Sequence, residues 1–186
     1  MPNPIDKTII ERRSITNFKL DPVDIDEIIE LLDIAKWAPN HKVNEPWRFL
    51  LFAEAGKEKF VDAFLGAASK VNGAPSPAAL NKAEYFRDIP LHLIVVISED
   101  PRQKQRDEDM GAVASLLQNF QLAAWERGIG MIWRSNDWIY KPEFRNALGV
   151  QPGEKIVATM MIGYPQTVPQ KRERTPIREK LTIITE

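Results

Sequence analysis

The stretch "LHLIVVIS", residues 91–98, gives the clearest β-strand signal in this chain. It is a continuous apolar run rich in β-branched residues, which is typical of a strand. Further strands are predicted at residues 46–53 ("PWRFLLFA"), 130–135 ("GMIWRS") and 155–164 ("KIVATMMIGY"). Helices are predicted at residues 4–13, 24–37, 56–68 and 106–127, with shorter helices ending near residue 87 and spanning about 141–148. Strands that alternate with helices indicate an α/β or α+β sheet covered by helices.

The size and charge of the chain are those of an ordinary globular domain. Its 186 residues suit one domain with a real core, so we expect residues 1–186 to form a single domain. The 25 lysines and arginines nearly balance the 26 acids, so no net field recruits nucleic acid or an anionic membrane.

Several kinds of site are excluded by composition. The chain has no cysteine, which excludes disulfides, thiolate zinc sites and a cysteine nucleophile. Its two histidines, His41 and His92, cannot form a histidine-rich metal site. The N-terminus, "MPNPIDKTIIERRS", lacks the apolar core of a signal peptide, and no run approaches a membrane-spanning length. A cytoplasmic protein is therefore expected.

Two segments favour contact with a second subunit. The helix at 106–127 is apolar over so wide an arc that it is expected to be central or to pack against a partner. The tail "PQTVPQKRERTPIREKLTIITE" is too polar to be core, yet it ends in the β-prone "LTIIT". That patch could add to a sheet edge, including the edge of another subunit.

Two basic stretches are candidates for binding a phosphate. In "ERRSITNF", residues 11–18, two adjacent arginines and a serine at a helix end offer bidentate donors and a hydroxyl. Arginine at a helix C-terminus also simply offsets the helix dipole, so both interpretations remain open. In "QKRERTP", Arg172 and Arg174 lie two residues apart, which places them on one face of an extended chain. A solvated basic tail is the alternative there.

Two aromatic stretches are candidates for binding a planar ligand. "WAPNHKVNEPWRFLLF", residues 37–52, groups Trp37 and His41 with polar neighbours before a strand, although a lone loop histidine is more often structural. "GIGMIWRS" places Trp133 and Arg134 at the end of a strand, where ligands of open sheets tend to bind. A core tryptophan beside an exposed arginine is the alternative for that pair.

Some motifs are absent from the sequence. There is no glycine-rich dinucleotide fingerprint, no P-loop and no GxSxG nucleophile elbow. No side-chain nucleophile with an adjacent base is visible either. Any redox or group-transfer chemistry must therefore come from a bound cofactor.

The order of these stretches resembles the nitroreductase family of FMN-dependent oxidoreductases, in particular its small, minimal branch. "RRS" is followed by "WAPNHKVNEPWRF", a long helix, "GMIWRS", "MIGYP" and a basic tail, which covers essentially the whole chain. The resemblance implies an α+β sandwich in which helices flank a central, mostly antiparallel sheet. It also implies an intertwined homodimer with two FMN sites at the subunit interface, and a tail, about residues 165–186, that reaches the partner.

The resemblance assigns roles to individual residues. Arg12 and Ser14 match positions that bind the FMN phosphate, with Arg13 on the ribityl and flavin side. Trp37 and His41 match the loop that approaches FMN from the partner subunit. The remaining matches are the strand end beside the isoalloxazine ring and the basic pair that completes the phosphate site: Trp133, Arg134 and Ser135, then Arg172 and Arg174.

This chain departs from the family pattern at three positions. Many members carry a lysine or arginine near flavin N1 and O2, where this chain has Thr16. Reduced flavin is negatively charged at N1, so another cation should offset it, and Arg134 and Lys42 are the candidates. In the loop, Val43 and Glu45 occupy places where many members have asparagine and glutamine.

The resemblance implies an NAD(P)H-dependent FMN oxidoreductase with ping-pong kinetics. Hydride passes from NAD(P)H to the flavin, and a small-molecule acceptor such as a nitroaromatic or a quinone then occupies the same space. No side chain is needed as an acid or base. The alternatives are a relative with diverged flavin chemistry, such as dehalogenation or flavin breakdown, and a non-catalytic flavin-binding protein.

Overall fold

The central strand of the molecule is β4 (Leu91–Ser98), which its apolar run predicts. The structure is a computed structural model, and it describes residues 3–186. β4 pairs with β1 (Trp47–Ala53) on one side and with β6 (Glu154–Gly163) on the other. β6 also pairs with the edge strand β5 (Gly130–Arg134). The four-stranded sheet has the order β1-β4-β6-β5, and every neighbouring pair is antiparallel.

The α-helices of the described residues cover both faces of this sheet. They are α1 (Pro4–Glu11), α2 (Ile25–Ala35), α3 (Lys57–Ala67), α4 (Pro77–Asp88), α5 (Gln103–Glu126) and α6 (Pro142–Ala147). Between α3 and α4, two-residue strands β2 (Lys70–Val71) and β3 (Ala74–Pro75) form a separate hairpin. The α+β class and the antiparallel sheet flanked by helices are thus confirmed.

The core consists of two apolar layers, one on each face of the sheet. Leu93 and Val95 of β4 belong to the layer that includes α2 and α5, whereas Ile94 and Val96 belong to the layer that includes α3, α4 and α6. Successive strand residues point to opposite faces, so a strand buried on both sides must be apolar at every position. The uninterrupted run in "LHLIVVIS" has this cause.

Local capping sets the start of three helices. The side chains of Asn3, Asp24 and Ser76 accept hydrogen bonds from backbone N–H groups at the starts of α1, α2 and α4. Ser76 is followed by Pro77, whose fixed φ suits the first turn of a helix. α4 therefore begins inside residues 70–80, "KVNGAPSPAAL", whose glycine and two prolines predict a loop.

The segment at residues 14–18 runs along the β5 edge of the sheet. Ser14 forms a parallel bridge with Met131, and the N–H of Ile15 donates to the Met131 carbonyl at 3.1 Å. The close approach depends on Gly130, because a Cβ there would lie 2.5 Å from Cγ1 of the fully buried Ile15. Its strand partner Gly163 has a similar role, since a Cβ there would lie 3.0 Å from Phe18.

The tail leaves the sheet after β6 and remains on the outside of this chain. Residues 166–186 are exposed, and "LTIIT" forms no strand within the described residues. Among residues 3–186, no helix has both the length and the apolar character that crossing a membrane requires.

We expect Gly130→Ala to destabilise the fold. The new methyl group would overlap Ile15 and force the 14–18 segment away from β5, and overpacking of this kind costs about 1–3 kcal/mol. Gly111→Ala is the matched control, because Gly111 lies within α5 and a methyl group added there would meet no atom within 4 Å. Alanine at that helical position should stabilise the fold by about 0.5–1 kcal/mol. Urea denaturation of both variants measures the two changes, and equal effects would contradict the close approach.

The buried His92 should make the stability of the fold depend on pH. His92 is buried, its ring is stacked on Phe60 at 4.2 Å, and Nε2–H donates to the Phe86 carbonyl at 2.8 Å. Burial lowers the pKa of His92 from 6.5 to about 4. The unfolded chain therefore takes up this proton first as the pH falls through 6.5, and the free energy of unfolding decreases by about 1.4 kcal/mol per pH unit until about pH 4.

His92→Gln removes this titrating group. We expect its free energy of unfolding to decrease less between about pH 6.5 and pH 4 than that of the wild type, as measured by urea denaturation at a series of pH values. Parallel curves for the two proteins would show that His92 does not titrate on unfolding.

Candidate functional site

Three arginines converge at the end of α1, and we call them the arginine cluster: Arg12, Arg13 and Arg174. Arg12 is half-buried, with Nη1 3.5 Å from Gln121 Oε1 on α5. Its pKa is lowered, first by burial and then by the positive charges of Arg13 and Arg174. Among the described residues none of the three forms an ion pair, and the buried Nε of Arg12 has no hydrogen-bond partner. Unpaired, partly desolvated positive charge of this kind suits a phosphate.

The members of this cluster differ in their local contacts. Arg13 donates from Nη1 to the carbonyls of Ile10 and Arg12, both at 2.7 Å, so it also caps the end of α1. The dipole-offsetting role considered for "ERRS" is thus real for Arg13. Ser14 is exposed beside the cluster, with no side-chain hydrogen bond in the part of the chain that the structure describes. Arg174 belongs to the tail, and its charge is one of those that lower the pKa of Arg12. The charge of Arg172 is not among them.

The end of β5 lies further along the same edge of the sheet. Trp133 packs against the α2 and α5 layer, and its Nε1 donates to the Val157 carbonyl at 3.3 Å. Arg134 is half-buried, and its buried Nε has no partner among the described residues. Ser135 is exposed. The core role considered for Trp133 therefore holds, while Arg134 remains available to a ligand.

Helix α4 brings two further residues to this edge of the sheet, Lys82 and Tyr85, which were not predicted from the sequence. The Tyr85 hydroxyl donates to the Thr16 carbonyl at 2.9 Å, which fixes α4 to the 14–18 segment. Lys82 lies 4.7 Å from the centre of the Tyr85 ring. Its pKa is lowered by burial and then by the charge of Arg134. In the sequence, these two residues are indicated only by their spacing in "NKAEYF", which places them one helical turn apart on the same face of a helix.

The loop at residues 40–45 has a strained backbone. Lys42, Val43 and Glu45 have φ values of 56°, 54° and 43°, which is unusual for residues with side chains and most of all for β-branched Val43. The loop is held by Asn40 Oδ1, which accepts from the Glu45 N–H at 3.2 Å, and by Asn44 Nδ2, which donates to Asp109 Oδ1 at 2.8 Å. Strain that is maintained by such contacts is typical of functional loops.

This loop lies far from the arginine cluster within one chain. His41 Nδ1 is 4.0 Å from Glu108 near the start of α5, whereas Arg12 contacts Gln121 of the same helix. Thirteen residues of helix separate these two contacts, which corresponds to about 20 Å. His41 and Lys42 instead line a polar groove of about 690 Å³ at the β1 edge of the sheet. Trp37 is 85% exposed at the end of α2.

The predicted residues other than Arg172, which is not among the charges that act on Arg12, thus form two separate groups. One group lies along the β5 edge and comprises Arg12, Arg13, Ser14, Trp133, Arg134, Ser135 and Arg174. The other lies at the opposite edge and comprises Trp37 and His41. Lys42 belongs to the second group, so within one chain it is not the cation nearest Thr16.

Comparison with known proteins gives one consistent result. Residues 9–164 match the model of the nitroreductase family. YfhC of Bacillus subtilis, provisionally assigned as an NAD(P)H nitroreductase, is 40% identical over 179 residues, which are 94% of this chain and 91% of that protein.

Solved structures agree with this match. A nitroreductase-like family protein from Bacillus cereus has 41% identity and a TM-score of 0.94, with 100% of this chain and 98% of that one covered. NfnB, an FMN and NADPH-dependent nitroreductase from Sphigopyxis sp. strain HMH, has 16% identity and a TM-score of 0.76, with 99% and 100% covered, and it supports the fold alone.

We expect Asp109→Ala to loosen the 40–45 loop. Asp109 is 5% exposed and accepts from both Asn44 and Gln105 at 2.8 Å, so its loss removes two hydrogen bonds at about 0.5–1.5 kcal/mol each. Amide hydrogen exchange at Glu45 should become faster. Asp107→Ala is the control, because Asp107 is exposed and its carboxylate accepts only from Gln103. Equal exchange in the two variants would show that Asp109 does not hold the loop.

Proposed function

This chain belongs to the nitroreductase family, and on that premise we propose that it is an FMN-dependent oxidoreductase that uses NAD(P)H. Electrons would pass to a small-molecule acceptor such as a nitroaromatic or a quinone, with donor and acceptor using the same space in turn. The observation that carries this proposal is the arginine cluster, in which the half-buried Arg12 has no acidic partner among the described residues.

The arginine cluster fits the phosphate of FMN. A phosphate carries close to two negative charges and accepts several hydrogen bonds, which suits three guanidinium groups beside a serine hydroxyl. The unpaired Nε of Arg12 provides a buried donor, and Ser14 provides an exposed one. Arg174 supports the proposed role of the tail in this site, because its charge lowers the pKa of Arg12, whereas the charge of Arg172 is not among those that do so.

The β5 edge fits the rest of the cofactor. Residues from Ser14 to Thr16 run beside β5, so a ligand anchored at the arginine cluster can extend toward Trp133 and Arg134. When bound, the flavin supplies the redox chemistry by taking a hydride from NAD(P)H and passing electrons on. The residues of this chain bind and orient the reactants and provide positive charge, and we assign no side chain as an acid or base.

A second copy of the chain would complete this site. The loop that carries His41 lies about 20 Å along α5 from the arginine cluster, so it cannot reach the same ligand within one chain. The exposed tail and the exposed apolar side chains of Leu181, Ile183 and Ile184 need a surface to cover them. Both features support the proposed intertwined homodimer. The single domain over residues 1–186 and the cytoplasmic location stay predictions.

We expect Arg12→Ala to weaken FMN binding. Loss of a charged hydrogen bond costs roughly 1.5–3 kcal/mol, which raises the Kd about 10- to 150-fold. Arg87→Ala is the control, because Arg87 forms exposed ion pairs with Glu58 and Glu84 on the outside of α4. Titration of FMN into the apoprotein, followed by flavin fluorescence, measures both values. An unchanged Kd for Arg12→Ala would exclude the phosphate assignment.

We also expect each FMN site to draw on two chains. When Arg12→Ala and His41→Ala chains are co-expressed with different tags, one site of the heterodimer carries both changes and the other carries neither. The purified heterodimer should therefore hold one tightly bound FMN, whereas each homodimer variant holds its FMN weakly at both sites. A monomer that retains FMN in sedimentation equilibrium, or a heterodimer with no tight site, would exclude the shared site.

A further inference from the structure

A second group of unpaired positive charge lies near the arginine cluster but apart from it. It consists of Lys82 on α4 and Arg134 at the end of β5. Tyr85 lies between them, because Lys82 is 4.7 Å from its ring centre and its hydroxyl is 3.7 Å from Sδ of Met161, the strand partner of Ile132. Neither Lys82 nor Arg134 forms an ion pair among residues 3–186, and the buried Nε of Arg134 has no hydrogen-bond partner there. Both side chains are half-buried, and each cation makes the other more costly because they repel. Such a pair is stabilised when an anion lies between or beside its members.

This pair lies further along the β5 edge than the arginine cluster. Ser14 lies opposite Met131, and three residues of strand separate Met131 from Arg134, which corresponds to about 10 Å. A phosphate makes hydrogen bonds only over about 3 Å, so a ligand that carries a second negative charge along this edge suits the second group better than the phosphate alone.

Two aromatic rings fix the position of the Lys82 ammonium group. Its Nζ lies 4.7 Å from the centre of the Tyr85 ring and 5.2 Å from that of Phe86. The Tyr85 ring is held in place because its hydroxyl donates to the Thr16 carbonyl. A planar group whose charge is shared between two edge atoms can contact an ammonium and a guanidinium together, as a carboxylate does.

We propose that Lys82 and Arg134 form a second anion site that binds the negatively charged edge of a planar ring, with Lys82 supplying from α4 the cation that Thr16 does not provide. This proposal rests on the proposed function for the identity of the ring. Two rings have the required chemistry. One is the reduced flavin, which is negatively charged at N1 and O2, and the other is an aromatic acceptor with a carboxylate.

Lys82→Met separates these possibilities, because it keeps the apolar stem and removes only the charge. Lys59→Met is the matched control, since Lys59 is an exposed lysine on α3 with no ion pair among the described residues. The first measurement is the midpoint potential of the bound FMN. If Lys82 contacts the reduced ring, the variant should bind reduced FMN about tenfold more weakly relative to oxidised FMN, which lowers the potential by about 30 mV.

The second measurement is the Kd of benzoate and of neutral benzamide, by titration of the wild type and both variants. If Lys82 contacts an acceptor's carboxylate, Lys82→Met should weaken benzoate about tenfold and leave benzamide unchanged. Either result supports the anion site and identifies its ring.

The proposal is overturned if Lys82→Met matches Lys59→Met in potential and in both dissociation constants. Failure of the proposed function gives a different result, because the wild-type chain would then bind no FMN. The benzoate and benzamide titrations of that chain would still decide whether Lys82 binds an anion.

Discussion

The close approach of the 14–18 segment to the β5 edge is the constraint on which the proposed site depends. Gly130 and Gly163 are cross-strand partners, and both lack the Cβ that would collide with the side chains above them. Ile15 can therefore be fully buried while its neighbours Ser14 and Thr16 remain accessible. Successive side chains of an extended segment point in opposite directions, so the burial of Ile15 leaves Ser14 and Thr16 accessible along this edge.

The distribution of ion pairs gives this edge its chemical character. Elsewhere in the described residues, arginines find acceptors within the chain: Arg48 pairs with Glu154 at 2.6 Å, Arg127 pairs with Glu30 at 2.9 Å, and Arg145 donates to the Glu154 carbonyl at 2.8 Å. The hydrogen bond from Arg48 lowers the pKa of Glu154. Along the β5 edge the half-buried cations have no such partners within residues 3–186. Since burial without a partner is costly, this difference favours ligand binding over a purely structural role.

The loop that carries His41 is stabilised in a different way. Its left-handed residues are held by one hydrogen bond within the loop, to Asn40, and one to Asp109, so its shape depends on α5 as well as on its own sequence. Because α5 also contacts Arg12 through Gln121, one long helix connects both groups of predicted residues. In the proposed homodimer, the packing of this helix would determine how the two edges meet.

Local signals in the sequence determined much of the fold. The apolar run of β4 predicted a strand, and helices were predicted close to the observed starts of α1 and α2, because the responsible effects act between residues close in the chain. Helix limits were less accurate: α1 ends at Glu11, α5 begins at Gln103, and α4 begins within a predicted loop. The motifs "RRS" and "WRS" resemble the family pattern, and this resemblance predicted that Arg12, Ser14 and Arg134 bind the cofactor.

Only the tertiary structure decided which of these residues lie together. It placed Arg174 beside Arg12 and kept His41 away from both, and it brought Lys82 and Tyr85 of α4 to Thr16. No sequence pattern could reveal this, because a helical spacing shows which residues share a face but not which distant segment that face contacts. Whether a buried donor has a partner is likewise decided by residues far apart in the chain, and among the described arginines it is Arg12 and Arg134 whose buried Nε atoms have none.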